Sequence, residues 1–313
     1  MSATTTTPSG GLLRKVGGAV TGWWFTPLPL ARVAVFRVLV YAFVVFDVLF
    51  VANDVIPHGY TPDLYQPTLL GRVLHLPPLG VAGGWALLVV LVAACVLGIV
   101  ATTSTRVSGR VQLVTGWTVA VAFWVWMLNS QGFAYVSHDH LALMVAVAVL
   151  PTVGVARPFD VDTSQAAGWA LRCTQIAVVL TYFGSAFSKW IRSGSPQAWA
   201  NGAVFVWAIM RRGSDLVTWT LQFPWILRLG QWGLLAIEFL SPVVLFLRGK
   251  WLYLAVATFC AFHLATYLAL GIHFLPTVIC WAAFLPLEKL PVWLRARFTP
   301  RAPGGSETGT ASA

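Results

Sequence analysis

The sequence predicts an all-α fold: a polytopic transmembrane helical bundle of about eight spans, with both termini cytoplasmic. Of its 313 residues, 58% are hydrophobic and only 10% are charged, whereas soluble domains carry about 25% charged residues. Long apolar runs recur along the chain, and no alternation of polar and apolar residues indicates the strands of a barrel. A water-soluble globular domain is therefore excluded.

Eight apolar runs are long enough, or nearly so, to cross the bilayer, whose hydrocarbon core requires about 20 residues per helix. The last run is short and directly follows its neighbour, so it is either a span or part of a re-entrant hairpin. Seven spans are the alternative. The runs are 33–52, 79–101, 111–128, 140–156, 169–188, 226–247, 251–270 and 272–287.

The transmembrane domain is predicted to occupy residues 28–290. It follows a disordered or interfacial segment, 1–27, and precedes a basic and then disordered tail, 291–313. The apolar stretch Trp199–Met210 is too short to span and is interpreted as interfacial or re-entrant. Four cysteines lie inside apolar runs without close pairing, which predicts small buried hydrophobic side chains: Cys95, Cys173, Cys260 and Cys280.

The formal net charge of +10 comes from basic residues that stand singly or in pairs. No nucleic-acid partner is therefore predicted, and the lipid bilayer of the cell membrane is the expected surrounding. Twelve basic residues would be cytoplasmic and six would lie opposite, although the pair Arg211-Arg212 contradicts this bias. The twelve are Arg14, Lys15, Arg32, Arg106, Arg110, Arg157, Arg248, Lys250, Lys289, Arg295, Arg297 and Arg301; the six are Arg72, Lys189, Arg192, Arg211, Arg212 and Arg228.

Polar side chains inside apolar helices are costly and usually face a bundle interior, so they are candidate functional residues. Their spacing of three or four residues places them along two helical stripes, each of which needs a partner helix. Lys189 as a snorkelling anchor, and Arg228 with Glu238 as an ion pair that only fixes packing, are structural alternatives. The stripes contain Arg172, Gln175, Tyr182 and Lys189, and then Arg228, Gln231 and Glu238.

Further ionisable residues stand in or beside other runs. Arg37 either lines the interior or snorkels to the headgroups near Arg32, and Asp47 is either functional or hydrated near the end of its run. A metal site at the His-Asp-His sequence is not predicted, because its spacing differs from the usual i, i+4 pair of helix-borne ligands. The remaining candidates are His138, His140, His263 and Tyr267.

Four short motifs, in their order and spacing, resemble the HTTM family, which includes the vitamin K-dependent γ-glutamyl carboxylases. The central one runs from Gln175 to Trp190, containing a Tyr-Phe pair, small residues and a lysine, and is followed by Trp199-Ala-Asn-Gly202. The other three are Arg32-Val-Ala-Val-Phe-Arg37 with a run ending near Asp47, Ser137-His-Asp-His140-Leu, and Phe262-His263 continuing to Phe274.

This resemblance implies a membrane quinol of the menaquinol or vitamin K type as cofactor, and a carboxylase- or epoxidase-like activity. In the carboxylases a lysine deprotonates the hydroquinone, whose oxidation by O₂ generates the base that removes a glutamate γ-proton before CO₂ is captured. Lys189 matches that lysine, and His140 and His263 match assisting histidines. Tyr182, Phe183, His263 and Tyr267 would surround the quinone, and a lysine in low-dielectric surroundings can be neutral and basic. All three catalytic candidates are expected at one outward-opening cavity.

The sequence also departs from the carboxylase pattern. Ser188 stands where those enzymes often have a second lysine, and the spacing from Lys189 to Trp199 is longer. The chain stops at Ala313, whereas the carboxylases continue into a large extracytoplasmic domain, so a short form resembling the SdpB proteins is the closer likeness. Two function classes stay open: an enzyme that modifies a peptide or small molecule, and a non-catalytic protein in the maturation of a small secreted peptide, in immunity or in transport.

Overall fold

The computed structural model describes residues 10–134 and 138–298, and its regular structure is almost entirely helical. Two strands of two residues each, β1 (Leu28–Pro29) and β2 (Thr163–Ser164), pair antiparallel. The α-helices are α1 (Gly10–Trp24), α2 (Leu30–Phe46), α3 (Val55–His58), α4 (Leu69–Val73), α5 (Val81–Thr103), α6 (Gly109–Gln131), α7 (Leu141–Val149), α8 (Gln165–Ser193), α9 (Pro196–Trp199), α10 (Ala203–Arg212), α11 (Asp215–Thr218), α12 (Pro224–Leu240), α13 (Gly249–Leu270), α14 (Leu275–Cys280) and α15 (Lys289–Phe298).

Several helices are extended by tighter or wider turns. A π-helical turn, Asp47–Val51, continues α2. Turns of 3₁₀ helix precede or follow α7, α12 and α14, and two others lie in loops. These turns are His138–His140, Leu150–Val153, Ser241–Phe246 and Trp281–Phe284, with Pro62–Leu64 and Trp219–Gln222 in the loops.

Six helices of the described chain are long and apolar enough to cross a membrane, which confirms the predicted all-α polytopic class. The C-terminal pair, Leu275–Phe284 and Lys289–Arg297, is bent by 88° and raises the number to seven if counted as one span. The remaining predicted span, 140–156, is a shorter apolar helix, His138–Val153. The six are Leu30–Val51, Val81–Thr103, Gly109–Gln131, Gln165–Ser193, Pro224–Phe246 and Gly249–Leu270.

The shorter apolar helix His138–Val153, which contains α7, lies antiparallel to α2 over most of its length. At one end, His140 contacts Asp47 on the π turn. Further along, Arg37 donates to the carbonyl oxygens of Leu150 and Gly154. Residues 138–164 therefore run from one end of the bundle to the other, although their regular helix covers only part of that distance.

The bundle has two ends, which we name by their residues. The basal end contains residues 25–32, 103–110, 154–165 and 285–298, and the distal end contains 51–80, 189–224 and 271–275. At the basal end, Arg32 forms two 2.7 Å hydrogen bonds with Glu288, and β1 pairs with β2. The basal end contains seven of the twelve basic residues predicted on one side, and the distal end contains five of the six predicted on the other; the cytoplasmic position of the basal end stays a prediction.

The terminal segments are more helical than the sequence suggested. Residues 10–24 form α1, within the segment 1–27 that was predicted to be disordered or interfacial, and residues 1–9 lie outside the described chain. The expected basic tail begins with α15, of which Val292, Trp293 and Leu294 are exposed. The rest of the predicted disordered tail, 299–313, also lies outside the described residues.

The spans differ in how deeply they are packed. In the most apolar 18-residue stretch of Leu30–Val51, 56% is buried inside the protein. The corresponding share is 28% for Pro224–Phe246 and 17% for Gly249–Leu270. Exposed leucine, valine and aromatic side chains cover the other surfaces of these helices. Since apolar surface of this extent is solvated by lipid, the structure is that of a multi-pass membrane protein.

Replacement of Gly98 and of Gly184 with alanine is expected to have opposite effects on stability. A Cβ at Gly98 would lie 2.8 Å from the ring of Tyr41, which is fully buried, whereas a Cβ at Gly184 would meet nothing within 4 Å. We expect Gly98→Ala to destabilise the protein by about 1–3 kcal/mol. Gly184→Ala should stabilise α8 by about 0.5–1 kcal/mol. Thermal unfolding in detergent checks both, and equal shifts for the two variants would contradict this packing.

The Arg32–Glu288 ion pair predicts a pH dependence at the basal end. Partial burial acts to raise the pKa of the Glu288 carboxyl, but the hydrogen bonds from Arg32 outweigh it and hold that pKa below its usual range. A carboxyl group whose pKa is lower in the folded state stabilises the protein at pH values above its unfolded pKa of about 4.3. This contribution disappears as the pH falls through the pKa of the folded state.

We therefore expect Glu288→Gln to be less stable than the parent chain at neutral pH and to match it at strongly acidic pH. Unfolding of both proteins across this range provides the measurement. A stability difference that stays constant down to about pH 3 would exclude titration of Glu288 as its cause.

Candidate functional site

The first polar cluster at the distal end is an ion pair between two spans. Lys189 Nζ lies 2.7 Å and 2.5 Å from the two carboxylate oxygens of Glu238. The Glu238 side chain is 7% exposed and that of Lys189 is 21% exposed. Lys189 Nζ also lies 4.8 Å from the centre of the Trp199 ring, a cation–π contact. We call Lys189, Glu238 and Trp199 the lysine cluster.

The two predicted stripes explain how this cluster forms. Lys189 lies near the C-terminal end of α8 and Glu238 near the end of α12, and the helices pack so that the two side chains meet. Gln231, one stripe position before Glu238, donates to the carbonyl oxygen of Trp199 at 2.9 Å. The C-terminal residue of α9 is therefore fixed to α12 through its carbonyl oxygen and covers Lys189 with its ring.

Glu238 binds a different partner from the one that the structural alternative offered. The alternative of an Arg228–Glu238 ion pair is not found, because Arg228 is exposed whereas Glu238 is buried against α8. Nor does Lys189 extend as an unpaired anchor into the headgroup region. Its ammonium group is held by a carboxylate, whereas the sequence suggested a lysine that neighbouring apolar groups keep neutral.

The second cluster is a hydrogen-bonded chain of Trp281, Tyr182 and His263. Trp281 Nε1 donates to the Tyr182 hydroxyl at 3.0 Å, and that hydroxyl lies 2.5 Å from His263 Nε2. Since the indole can only donate, the Tyr182 oxygen accepts and its own proton is free to bond His263 Nε2. In the tautomer in which His263 Nε2 accepts this proton, the ring is neutral and carries its own proton at Nδ1.

His263 Nδ1 is buried and has no hydrogen-bond partner among the described residues. A buried N–H without an acceptor is unfavourable by about 1–3 kcal/mol, so an acceptor placed at this position would be stabilised. Aromatic rings surround this histidine: Phe262, Phe274 and Tyr182 have ring centres 4.9, 5.0 and 5.6 Å from its own. The group that completes the network would therefore be an acceptor in a flat, mostly apolar setting.

The third cluster joins His140 to two carboxylates. Its Nε2 lies 3.0 Å from Asp47 Oδ1, and its Nδ1 lies 3.2 Å from Asp139 Oδ1. Asp47 is 0% exposed and starts the π turn, which widens the helix where this carboxylate faces inward. Thr277 of α14 donates to the Asp139 carbonyl oxygen at 2.7 Å. The hydrated Asp47 of the sequence alternative is therefore not observed.

The Phe274 ring lies between His263 of the second cluster and His138, which precedes the third cluster in sequence. The Phe274 ring centre is 5.0 Å from that of His263 and 6.2 Å from that of His138. His138, Asp139 and His140 form one 3₁₀ turn. The structure thus brings His140 and His263 to the same end of the bundle as Lys189, but each has its own hydrogen-bond partners.

Other predicted site residues lie outside these clusters. Phe183 packs against Phe239 on α12, with ring centres 5.3 Å apart, and Tyr267 is 53% exposed on the outside of α13. Gln175 donates to the Ala283 carbonyl oxygen at 2.8 Å, and Arg172 donates to Gln175 Oε1 at 2.8 Å. These two polar residues join α8 to the C-terminal segment nearer the basal end.

Arg37 also lies away from the distal end, and the snorkelling alternative was wrong for it. It is 1% exposed and binds the carbonyl oxygens of Leu150 and Gly154 at 3.0 and 2.9 Å. Because these carbonyls follow the C-terminal end of α7, the guanidinium neutralises the negative end of that helix. Arg37 therefore has a clear packing role.

The described residues contain an apolar groove but no cluster of metal ligands. Within residues 10–134 and 138–298, no group of three His, Cys, Asp or Glu side chains is arranged to hold a metal ion. A groove of about 360 Å³ opens beside Trp281, and its lining is almost entirely apolar. Its walls are Phe43, Val256, Cys260, Leu275, Val278, Ile279, Trp281, Ala282 and Leu285.

Sequence reasoning found Lys189, His140, His263, Tyr182 and Glu238 but not all of their partners. Trp281 was missed because a tryptophan in an apolar run gives no signal of its hydrogen bond. Asp47 and Asp139 were noticed as ionisable residues, and only their convergence on His140 was unexpected. The four cysteines are free as predicted, with Cys95 and Cys280 buried and the other two partly buried.

Fold and site together define a polytopic helical membrane protein with three polar clusters inside the helical bundle. No protein-family model, curated protein or solved structure matches the chain.

Proposed function

We propose that this chain is a membrane enzyme of the HTTM type, located in the cell membrane, which binds a hydroquinone beside His263. In this proposal it couples oxidation of the quinol to modification of a peptide or small molecule. The observation that carries it is the buried, unpartnered Nδ1 of His263. A ring oxygen of a hydroquinone or quinone is an acceptor of the required kind, and the flat aromatic surroundings suit such a ring.

The protein residues have separate tasks in this proposal. Tyr182 and Trp281 fix the tautomer of His263, so that its Nδ1–H points to the ligand. When bound, a hydroquinone would supply two reducing equivalents and phenolic protons. The apolar groove beside Trp281 would contact the less polar parts of the molecule, because its walls offer almost no hydrogen-bonding groups.

Lys189 is the proposed base, and Glu238 determines how it becomes one. An ammonium group cannot accept a proton, but its proton can move to Glu238 Oε2, which lies 2.5 Å away. The result is a neutral amine beside a neutral carboxylic acid, and neither group then carries a charge inside the bundle. Lys189 can then take a proton from the substrate while the net charge of the pair rises by one.

A second candidate function is a non-catalytic, SdpB-like membrane protein that acts in maturation of a small secreted peptide. The observation in its favour is that the Lys189 ammonium already has a complete set of partners, Glu238 and the Trp199 ring. In this case the ion pair only ties α8 to α12, and the site needs no quinol.

The test combines ligand identification with two matched tyrosine variants. Mass spectrometry of the purified chain should detect a co-purifying menaquinone-type lipid, and the protein should bind added menaquinol. Tyr182→Phe removes one hydroxyl from the His263 network. Its control, Tyr267→Phe, removes the hydroxyl of an exposed tyrosine one turn after His263 on α13. We expect about tenfold weaker menaquinol binding for Tyr182→Phe and no change for Tyr267→Phe.

Activity is measured as O₂ consumption with menaquinol and as incorporation of labelled CO₂ into peptide. Lys189→Ala should abolish both while menaquinol binding persists. Quinol-independent function in Lys189→Ala would favour the non-catalytic candidate, and equal binding by the parent chain and Tyr182→Phe would exclude the His263 network as the quinol site.

A further inference from the structure

A small cleft at the distal end lies apart from the three polar clusters. It separates α10 from the C-terminal end of α13 and has a volume of about 150 Å³. Two adjacent arginines form one wall, and apolar side chains form the others. The lining residues are Trp207, Ala208, Arg211, Arg212, Leu270 and Ile272.

From this cleft we propose a binding site for an anionic phospholipid, whose headgroup phosphate is held by Arg211 and Arg212. Guanidinium groups present several N–H donors in a plane and match the oxygens of a phosphate in pairs. In the described ranges no carboxylate lines the cleft, and no ion pair includes either arginine. Their charge is therefore available to a ligand.

The cleft is held in shape by contacts outside its lining. Arg211 lies over the Trp207 ring at 5.1 Å, which orients the guanidinium plane. Ser214 donates from its backbone to the Ala269 carbonyl oxygen at 2.9 Å, and from its hydroxyl to the Leu268 carbonyl oxygen at 2.7 Å. These two bonds fasten the end of α10 to α13.

The same bonds remove an obstacle to anion binding. The C-terminal end of a helix carries partial negative charge on its unpaired carbonyls, which would repel a phosphate. Here Ser214 occupies the carbonyls of Leu268 and Ala269, and the Gly271 backbone N–H bonds the carbonyl of Tyr267 at 2.8 Å. The positive charge of two arginines consequently dominates the cleft.

A lipid is preferred to a free phosphate because apolar surface continues from the cleft. Leu270 and Ile272 line it, Trp207 and Met210 are 61% and 73% exposed on α10, and Tyr267 is 53% exposed on α13. Exposed aromatic side chains at the end of a span are typical of the membrane–water interface. A ligand with a phosphate head and acyl chains would contact both surfaces at once.

This site also accounts for an exception in the charge distribution. Arg211 and Arg212 stand at the end of the bundle that has fewer basic residues, where a positive pair is unfavourable for the predicted orientation. A lipid phosphate as their partner gives the pair a function at that position.

The experiment uses the full chain in mild detergent, with equal amounts of phosphatidylglycerol and phosphatidylcholine, and native mass spectrometry to count retained lipids. The test variant is Arg211→Gln/Arg212→Gln. Its control, Arg106→Gln/Arg110→Gln, removes the same charge from exposed positions at the basal end. We expect the test variant to retain phosphatidylglycerol about tenfold less and the control to match the parent chain.

Two further measurements separate the competing outcomes. Arg211→Lys/Arg212→Lys keeps the charge but not the paired geometry, so retention should fall between the parent chain and the glutamine variant, with unchanged thermal unfolding. Equal retention by the parent chain and the glutamine variant, or an equal loss in the basal control, would overturn the site. Full displacement of phosphatidylglycerol by inorganic phosphate would show that the ligand is a free anion and overturn the lipid assignment.

Discussion

Replacing Glu238 with Gln is expected to lower the free energy of unfolding by about 2–3 kcal/mol, because the ammonium of Lys189 loses its counter-charge in a largely buried setting. This loss is smaller than the roughly 3–5 kcal/mol that is usual for breaking a buried ion pair, since the Lys189 side chain is still 21% exposed. Gln keeps the size and one acceptor oxygen, so the change tests the charge. Unfolding followed by tryptophan fluorescence in detergent provides the measurement.

The control for this prediction removes both charges together. Lys189→Met combined with Glu238→Leu replaces the pair with apolar groups, and much of the lost stability should return. If the double variant is as unstable as Glu238→Gln, the loss comes from packing between α8 and α12, and the ion pair is not its cause.

A comparable loss, about 3 kcal/mol, is expected for His140→Gln. The substitution removes the cationic partner of Asp47, which is 0% exposed and whose second oxygen already has no partner among the described residues. An uncompensated carboxylate would then remain inside the bundle, where its desolvation is unfavourable. Thermal unfolding of the purified variant gives the magnitude.

A second His–Asp pair at the same end of the bundle provides the control for His140→Gln. His58 lies 3.4 Å from Asp54 in an i, i+4 pair whose side chains are 27% and 33% exposed. Because these side chains are more exposed than His140 and Asp47, His58→Gln should change stability by less than about 1 kcal/mol. Similar effects of the two histidine variants would show that burial of Asp47 does not control the outcome.

The sequence was sufficient for the class of fold because bilayer thickness sets a length that apolar runs must match. Helical periodicity also placed Gln231 and Glu238 on one face of α12, and both are buried, whereas Arg228 of the same predicted stripe is exposed. The sequence could not predict that Glu238 meets Lys189 and not Arg228. That choice depends on how far each helix is rotated and shifted against its neighbour, and every candidate partner lies at a plausible depth.

Two local features escaped prediction for related reasons. The π turn at Asp47–Val51 follows an unbroken apolar run, whose residues favour an α-helix equally well. The burial of Arg37 depends on the carbonyls of Leu150 and Gly154, more than 100 residues away in the chain. Nothing near Arg37 in sequence indicates those acceptors, whereas nearby Arg32 suggested a common position at the membrane surface.

The unequal packing of the spans has a consequence for His263. In its helix, Gly249–Leu270, only 17% of the most apolar 18-residue stretch is buried by the rest of the protein. Hydrocarbon chains therefore form most of the solvent around this helix, and only a narrow strip of it touches the rest of the bundle. The thickness and composition of the surrounding bilayer thus help to determine how firmly His263 is held against Tyr182.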